Sequence, residues 1–175
     1  MPKFICISGK AQHGKDTSAG ILEQELIHAG KRVLVTHYGD LLKYICKTWF
    51  GWNGKKDNSG RTLLQRVGTD VVRMKRPNFW VNFILDVVGM FEGDWDYIII
   101  PDTRFPNELN CIKEHGYPLT HIRVVRSNFE SPLSAEQQSH ISEIALDDEI
   151  PDLLLRNDGS MEQLATNVRE LVKQL

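Results

Sequence analysis

The chain has 175 residues, of which 41% are hydrophobic, and these values predict one domain with a single well-formed core. Its 21 Lys and Arg residues are balanced by 23 Asp and Glu residues, with a pI near 6.3, which argues against a nucleic-acid partner because such binders carry a basic face. No apolar run approaches the ~18 residues of a membrane span, and the start has no signal-peptide pattern, so we expect no membrane partner.

The first predicted elements are a buried strand, a glycine loop and a helix. Residues 4–8 form a short apolar run, and apolar residues recur at helical spacing after Gly14. Gly9 and Gly14 allow successive N–H groups to point into one concavity at the helix N-terminus, and Lys15 can reach the β and γ phosphates of a nucleotide. The sequence therefore predicts a phosphate-binding loop, formed by Gly9, Lys10, Ala11, Gly14, Lys15, Asp16 and Thr17.

Asp16 occupies the position after the loop lysine, where the common motif carries a hydroxyl that holds Mg²⁺. An aspartate oxygen can take over that role directly or through water, because Mg²⁺ prefers oxygen ligands and keeps several waters. Thr17 would then hydrogen-bond an inner phosphate. The alternative interpretation is a glycine turn that begins a helix, with Asp16 only complementing the helix dipole.

The chain then passes from the sheet to a group of helices. The first helix ends near Gly30, and residues 33–36 form a second apolar strand, which predicts a parallel pair with a right-handed crossover. Residues 37 to about 93 form a helical insertion with an exposed loop at 51–60. Its predicted helices span residues 40–50, 62–73 and 80–89. Insertions at this edge of a parallel sheet hold substrates, so we expect a binding region here.

The second part of the core, residues 94–175, begins with an apolar strand at 96–100 that places Asp102 at its C-terminal end. In phosphate-loop proteins such an acid faces the loop and holds Mg²⁺, and the alternative for Asp102 is a turn former. The remaining predicted elements are a helix at 106–116, a strand at 120–125, a loop or lid at about 127–140, a short helix at 140–146, a strand at 153–155 and a helix capped by Ser160. This order predicts an α/β fold with a parallel sheet of about five strands.

Four motifs together resemble a known family. They are Gly14-Lys15-Asp16-Thr17, Gln65-x-x-Gly68-Thr69-x-x-x-Arg73 followed by Trp80, Asp102-x-Arg104-Phe-Pro-Asn107-Glu108, and Ser142-Glu143 before Asn157-Asp-Gly159. This combination resembles the deoxynucleoside monophosphate kinases of bacteriophage type, a branch of the P-loop nucleotide kinases, over nearly the whole chain. The resemblance implies a helical monophosphate-binding region, a lid, Mg²⁺, and transfer of the γ-phosphoryl group of ATP to a (deoxy)nucleoside monophosphate.

Four arginines fall in the insertion or at strand ends: Arg66, Arg73, Arg104 and Arg126. An arginine is by default a solvated surface charge, but its planar fork also grips phosphate through two hydrogen bonds. The resemblance implies that Arg73 and Arg104 bind the acceptor phosphate and that Arg126, at the root of the lid, reaches ATP or the moving phosphoryl group. Lys15, Asp102, Arg104 and Arg126 form the expected catalytic set, and Arg66 is a further acceptor-site candidate.

The other acceptor-site candidates each have a structural alternative. Gln65 can hydrogen-bond the edge of a nucleobase. Trp80 can stack on a base, or it can simply pack between helices. Asp40 and Lys43 open the insertion and can line the acceptor site, although Asp40 is also a plain N-cap.

Candidates near the lid and the chain's C-terminal part are less specific. Asn157 and Gly159 can approach the adenine of ATP through the backbone, or they can form an ordinary turn before a helix. We expect His140 and Glu143 to border the lid and His13 to face solvent.

Two other functions fit parts of the pattern. One is another small-molecule kinase that resembles dephospho-CoA kinase or phosphomevalonate kinase, against which Gln65 and Trp80 favour a nucleobase. The other is a non-catalytic nucleotide-binding regulator, which would not require several arginines outside the loop. Cys6, Cys46 and Cys111 lack paired metal spacing and predict reduced, mostly buried thiols of a cytoplasmic protein, in the host cytoplasm if a phage encodes it. A homodimer is also possible.

Overall fold

A computed structural model describes residues 1–91, 93–127 and 129–175. Five strands form one fully parallel sheet: β1 (Lys3–Ser8), β2 (Val33–Val35), β3 (Tyr97–Ile100), β4 (Leu119–Val125) and β5 (Leu153–Arg156). Their order across the sheet is β2-β3-β1-β4-β5. The parallel α/β fold predicted from the sequence is confirmed. Because β1 and β3 are neighbours, the loop after β1 lies beside the residues that follow β3.

Helices cover both faces of this sheet. They are α1 (Lys15–His28), α2 (Tyr38–Phe50), α3 (Asn58–Gln65), a π-helical segment (Arg66–Arg73), α4 (Phe79–Met90), α5 (Pro106–Glu114), α6 (Ala135–Ser139), α7 (Ile141–Ile144) and α8 (Met161–Val172). Among the residues that the structure describes, no helix combines the length and the apolar character that crossing a membrane requires.

The core lies in two layers, one on each face of the sheet. Successive strand side chains point to opposite faces, so Phe4 and Cys6 pack with α2, α4 and α5, whereas Ile5 and Ile7 pack with α1 and α8. All four are at most 1% exposed, and burial of an apolar side chain of this size contributes about 1.5–3 kcal/mol. The three cysteines are free and buried, as the sequence predicted.

The start of α2 differs from the prediction. His37 is the N-cap, and the carboxylate of Asp102 accepts hydrogen bonds from the N–H groups of Tyr38 at 2.9 Å and Gly39 at 2.8 Å. These N–H groups have no partner inside the helix, so a carboxylate stabilises this end. The N-cap role suggested for Asp40 is wrong, because Asp40 is the third residue of the helix.

The segment before α4 also differs from the prediction. The exposed loop expected at 51–60 is shorter, because Asp57 accepts a hydrogen bond from the Gly60 N–H at 2.8 Å and α3 begins at Asn58. The single helix expected at 62–73 is wrong, since the chain changes to a π-helix at Arg66. Glu92, in the predicted insertion, and Asn128, in the predicted lid, lie outside the described residues.

The predicted lid contains a short helix that the sequence prediction missed. Ser134 accepts a hydrogen bond from the Gln137 N–H at 3.2 Å, and the Gln137 side chain accepts one from the Ser134 N–H at 3.3 Å. This reciprocal capping box stabilises α6 within the range 127–140 that was predicted as a loop. His140 then caps α7 by accepting a hydrogen bond from the Ser142 N–H at 3.2 Å.

Candidate active site

The loop between β1 and α1 fits tightly against its neighbours. Gly9 has a φ of 141°, and a Cβ there would lie 2.4 Å from the carbonyl oxygen of Val124. Gly14 has a φ of 95°, and a Cβ there would lie 2.4 Å from Nδ2 of Asn157. Only glycine meets both the positive φ and the close approach at these two positions. The loop is therefore held in one shape between β4 and the residues after β5.

Asn157 supports the loop with its side chain. Its Nδ2 donates a hydrogen bond to the carbonyl of His13 at 3.0 Å, and its N–H bonds to Val125 at 2.9 Å. Gly159, predicted with it to approach adenine, is exposed, and neither residue is among the described residues that line the two cavities reported below. The structure thus gives Asn157 a buttressing contact that the sequence did not reveal.

Lys15 is the first residue of α1, and its ammonium group is folded back onto the loop. Nζ donates hydrogen bonds to the carbonyls of Gly9 at 2.7 Å and Lys10 at 2.9 Å. Burial, with a smaller contribution from the positive charge of Arg104, lowers the pKa of Lys15 to about 8. A cation in this environment gains stability when an anion such as a phosphate comes beside it.

Lys10 is held by the segment that follows the predicted lid. Its Nζ donates to the carbonyl of Glu143 at 2.7 Å and forms an ion pair with Asp147. The predicted loop residue Thr17 is exposed at the start of α1, and Ala11 lines the main cavity. Lys10 therefore reaches towards the segment that contains α7, whereas Lys15 stays on the loop.

A cavity of about 480 Å³ opens beside the phosphate loop. Its walls come from the loop, the start of α2, the α3 and π-helical region, the turn after β3 and the α6–α7 segment. Of the predicted site residues it is lined by Ala11, Lys15, Asp16, Lys43, Gln65, Arg73, Trp80, Asp102, Arg104 and Glu143. The structure thus brings residues from both halves of the sequence to one cavity.

Two carboxylates on the cavity wall have the chemistry of a magnesium site. The side chain of Asp16 is 81% exposed and hydrogen-bonds to Nε2 of His37 at 3.2 Å, while Asp102 caps α2. The hydrogen bond to Asp16 raises the pKa of His37, and the same bond lowers the pKa of Asp16. Among the described residues no group of three or more His, Cys, Asp or Glu side chains could hold a metal. One or two carboxylates with substrate phosphates are the usual environment of Mg²⁺, so these two residues fit it.

The four predicted arginines separate into two pairs. Arg73 and Arg104 line the cavity. The Arg104 guanidinium donates to the carbonyl of Ser142 at 2.9 Å and forms an ion pair with Glu143. Arg66 and Arg126 are exposed and do not line the cavity, and the Arg126 guanidinium lies 4.7 Å above the Phe129 ring.

The acceptor-site candidates also have different positions. Trp80 is 3% exposed, and its indole N–H donates to the carbonyl of Gly68 at 3.0 Å, so it forms the packing contact that the sequence left as the alternative to stacking. Gln65 and Lys43 line the cavity. Asp40 is exposed outside the lining, where it pairs with Lys43 at 3.0 Å.

Several lining residues were missed by the sequence analysis. Arg61 lies one turn before Gln65 on α3, and residues four apart share a helix face, so that spacing could have identified it. Gln137 is buried and lines the cavity from α6. The Ser134-x-x-Gln137 spacing is the sequence signature of a capping box and could have identified the helix that carries it.

A second cavity, of about 300 Å³, shares Arg104, Ser142 and Glu143 with the first and is also lined by Lys10. His13 lines it and is half-buried, so the expectation that His13 faces solvent is wrong; burial lowers the pKa of its imidazole. Glu143 lines both cavities, and His140 lies 3.5 Å from Asp70 of the π-helical segment. The α6–α7 segment therefore contacts both the phosphate loop and the helical region.

Comparison with known proteins gives a family. A profile described as deoxynucleotide monophosphate kinase matches residues 36–168. The deoxynucleotide monophosphate kinase of Enterobacteria phage T4 is 35% identical over 119 residues, which are 67% of this chain and 46% of that protein. The protein of the same name from Escherichia phage RB69 is 35% identical over 115 residues, which are 65% of this chain and 44% of that protein. The matched part thus spans less than half the length of each relative.

Solved structures share the fold at low sequence identity. A sugar kinase from Janibacter sp. HTCC2649 has a TM-score of 0.56 at 14% identity, covering 99% of this chain and 95% of that one. The APS kinase of Mycobacterium tuberculosis in complex with AMPPNP and APS has a TM-score of 0.52 at 15% identity, covering 98% of each chain. At these identities the likeness shows the fold alone.

Proposed function

Because this chain belongs to the deoxynucleotide monophosphate kinase family, we propose that it transfers the γ-phosphoryl group of ATP to a (deoxy)nucleoside monophosphate, giving ADP and the diphosphate. One observation carries the proposal: the loop lysine Lys15 and the two arginines Arg73 and Arg104 line the same cavity. Phosphoryl transfer depends mainly on positioning and on neutralising charge, and this cavity offers both.

On the donor side, the loop from Gly9 to Thr17 would bind the phosphates of ATP. Lys15 would leave the carbonyls of Gly9 and Lys10 and donate to the β and γ phosphates. Asp16 and Asp102 would hold Mg²⁺, which supplies neutralisation of charge on the phosphates when it is bound. Asn157 would keep the loop in shape through its bond to His13.

On the acceptor side, Arg73 and Arg104 would bind the monophosphate, while Gln65 and Lys43 would contact the nucleoside. Residues 37 to about 93 are the proposed acceptor-binding region. Arg61 of α3, also in the lining, supplies a further cation. Arg66 and Trp80 have weaker support as contacts, since one is exposed outside the lining and the other is buried in packing.

The α6–α7 segment is the proposed lid border. In this structure Glu143 of the segment, together with Asp147 just after it, binds the ammonium group of Lys10. Ser142 and Glu143 bind the guanidinium of Arg104. Nucleotide phosphates would compete for the same cations, so we infer that this segment rearranges when ATP and the acceptor bind. Closure over the substrates would exclude water and limit hydrolysis of ATP. Arg126, now on the Phe129 ring, would have to turn inwards to reach the phosphates.

The site of action follows from the relatives. Both are phage proteins, so we propose that this chain acts in a cytoplasm, the host's if a phage encodes it. The homodimer stays a prediction.

The test is a coupled ADP-release assay with Mg-ATP and a panel of deoxynucleoside and nucleoside monophosphates, dephospho-CoA and phosphomevalonate. We expect ADP only when a nucleoside monophosphate is present. Lys15→Met should reduce turnover by about 10²–10³-fold, because it removes a charge aimed at the transferred group. Lys31→Met, an exposed lysine in the turn after α1, is the matched control and should keep wild-type activity.

Three outcomes contradict the proposal. ADP release with dephospho-CoA or phosphomevalonate alone would assign the chain to another small-molecule kinase. ATP binding without turnover on any acceptor would make it a nucleotide-binding regulator. Full activity in folded Lys15→Met protein would refute the role of the loop.

A further inference from the structure

Glu108 is a fully buried carboxylate for which the proposed reaction gives no direct use. It lies in the first turn of α5 and is 0% exposed. Burial of a carboxylate is costly unless it is paired and hydrogen-bonded, and here burial raises the pKa of Glu108 while Arg73 opposes that shift. The partners of Glu108 therefore account for its presence in the core.

These partners are the two arginines of the acceptor side. Oε1 of Glu108 forms an ion pair with Nη2 of Arg73. Oε2 accepts hydrogen bonds from the backbone N–H of Arg104 at 2.7 Å and of Phe105 at 3.0 Å. One carboxylate thus fixes the side chain of Arg73 and the backbone that carries Arg104.

Two contacts hold the guanidinium of Arg73. Its guanidinium lies 4.1 Å above the ring of Phe105, and Glu108 binds one of its amino groups. The other amino nitrogen, Nη1, is buried and has no hydrogen-bond partner among the described residues, although Arg73 lines the main cavity. A buried, unpaired guanidinium N–H is costly, and a guanidinium in the cavity wall can donate charge-assisted hydrogen bonds to an anion.

Arg104 lines the same cavity as Arg73 and is bound by the other carboxylate oxygen of Glu108. Its backbone is fixed by Oε2, whereas its guanidinium now bonds to Ser142 and Glu143. Ser142 and Glu143 belong to the segment that we infer rearranges. When that segment moves away, the guanidinium of Arg104 becomes free to bind a phosphate. Glu108 therefore links the side chain of Arg73 to the backbone that carries Arg104.

We propose that Glu108 is a positioning residue for the acceptor phosphate: it aligns Arg73 and Arg104 towards one point of the cavity without touching the substrate. This inference rests on the proposed kinase function. Partners that orient the groups which bind a ligand typically change affinity or activity by about 10–100-fold when they are altered, and a displacement of about 1 Å in a reacting site has a similar effect.

The experiment compares Glu108→Gln with Glu114→Gln, an exposed glutamate on the same helix. Glutamine keeps the size of the side chain but loses the charge. Because both oxygens of Glu108 accept hydrogen bonds, the NH2 group of glutamine would face an N–H donor and lose at least one of these bonds. We expect the KM for the monophosphate to rise about 10–100-fold while the KM for ATP stays near wild type. Glu114→Gln should leave both constants unchanged. A lower melting temperature with both KM values unchanged would mean a purely structural role and would overturn the proposal.

A double-mutant cycle with Arg73→Ala tests whether the effect passes through that arginine. If it does, Glu108→Gln raises the acceptor KM less in the Arg73→Ala protein than in wild type. In the Arg73→Ala protein, Glu108→Gln should also raise the melting temperature, because it removes a buried charge that has lost its partner. Fully multiplicative effects on KM would refute the coupling.

A shorter carboxylate covers the case in which Glu108→Gln does not fold. Glu108→Asp keeps the charge but cannot span both Arg73 and the backbone N–H groups, so it should also raise the acceptor KM selectively; an unchanged KM would overturn the proposal. Wild-type protein that phosphorylates no nucleoside monophosphate would instead refute the proposed function, and the positioning role with it.

Discussion

ATP binding should weaken as pH rises above about 8, because Lys15 loses its proton there in the free protein. Burial places the pKa of this ammonium group at about 8, well below the 10.5 of an unperturbed lysine. Bound phosphates favour the charged form and raise that pKa again. A group whose pKa is higher in the complex than in the free protein takes up a proton on binding, so low pH favours the complex.

The magnitude follows from the size of the shift. Between about pH 8 and the pKa of the complex, each pH unit should reduce the affinity for ATP about tenfold, because one proton is taken up per ATP bound. If the phosphates restore the unperturbed value, the full effect is about 3 kcal/mol. The phosphate groups of ATP are already ionised in this range, since their last ionisation occurs near pH 6.

The assay is titration calorimetry of ATP at several pH values, in pairs of buffers with different ionisation enthalpies. The dependence of the measured heat on the buffer gives the number of protons taken up, and we expect about one near pH 9. Lys15→Met should bind more weakly and lose both the proton uptake and this pH dependence. The Lys31→Met control should keep both. Wild-type affinity that stays constant from pH 7 to pH 10 would refute the role assigned to Lys15.

Three further results are expected. Gly9→Ala should destabilise the protein by about 1–3 kcal/mol in urea unfolding, because its Cβ would lie 2.4 Å from the Val124 carbonyl at a positive φ; unchanged stability would contradict the loop geometry. Asn157→Ala should raise the KM for ATP but not for the acceptor, since it frees the His13 carbonyl, whereas Asn167→Ala, which also loses an amide bond to a backbone carbonyl, should change neither. Residues 43–76 carry nine Lys and Arg residues against two Asp, so this region should attract the anionic acceptor. We therefore expect kcat/KM for the acceptor to fall as ionic strength rises through about 0.1 M. A kcat/KM that does not depend on salt would exclude electrostatic steering.

The fold was predictable because its signals are local. The apolar run of β1, the glycine loop after it and the cap of α8 at Ser160 are each visible within a few residues, and strand and helix follow from them. The phosphate loop belongs to this group, since its two glycines and Lys15 are close together in sequence. The parts that were missed depend on less regular signals: α6 rests on one capping box, and the start of α3 at Asn58 rests on the Asp57 cap.

The acceptor side was only partly predictable because its geometry depends on distant contacts. Glu108 appeared in a motif, but its partner Arg73 lies 35 residues away, and no periodicity links the two. Trp80 is a residue type that suits base stacking, yet its indole N–H reaches Gly68 and its ring is buried. A side chain's partners, which the sequence does not specify, decide between packing and binding.

The two arginines of the π-helical segment make the same point in geometric terms. In an α-helix with 3.6 residues per turn, residues seven apart such as Arg66 and Arg73 would share a face. The segment Arg66–Arg73 is instead closed by hydrogen bonds between residues five apart, which gives a wider turn and rotates one end away from the other. Arg73 consequently lines the cavity, whereas Arg66 is exposed outside it. The Trp80 indole N–H donates to the Gly68 carbonyl within this segment and supports its shape. The change of helix type therefore leaves Arg73 as a candidate phosphate ligand and Arg66 as a surface charge.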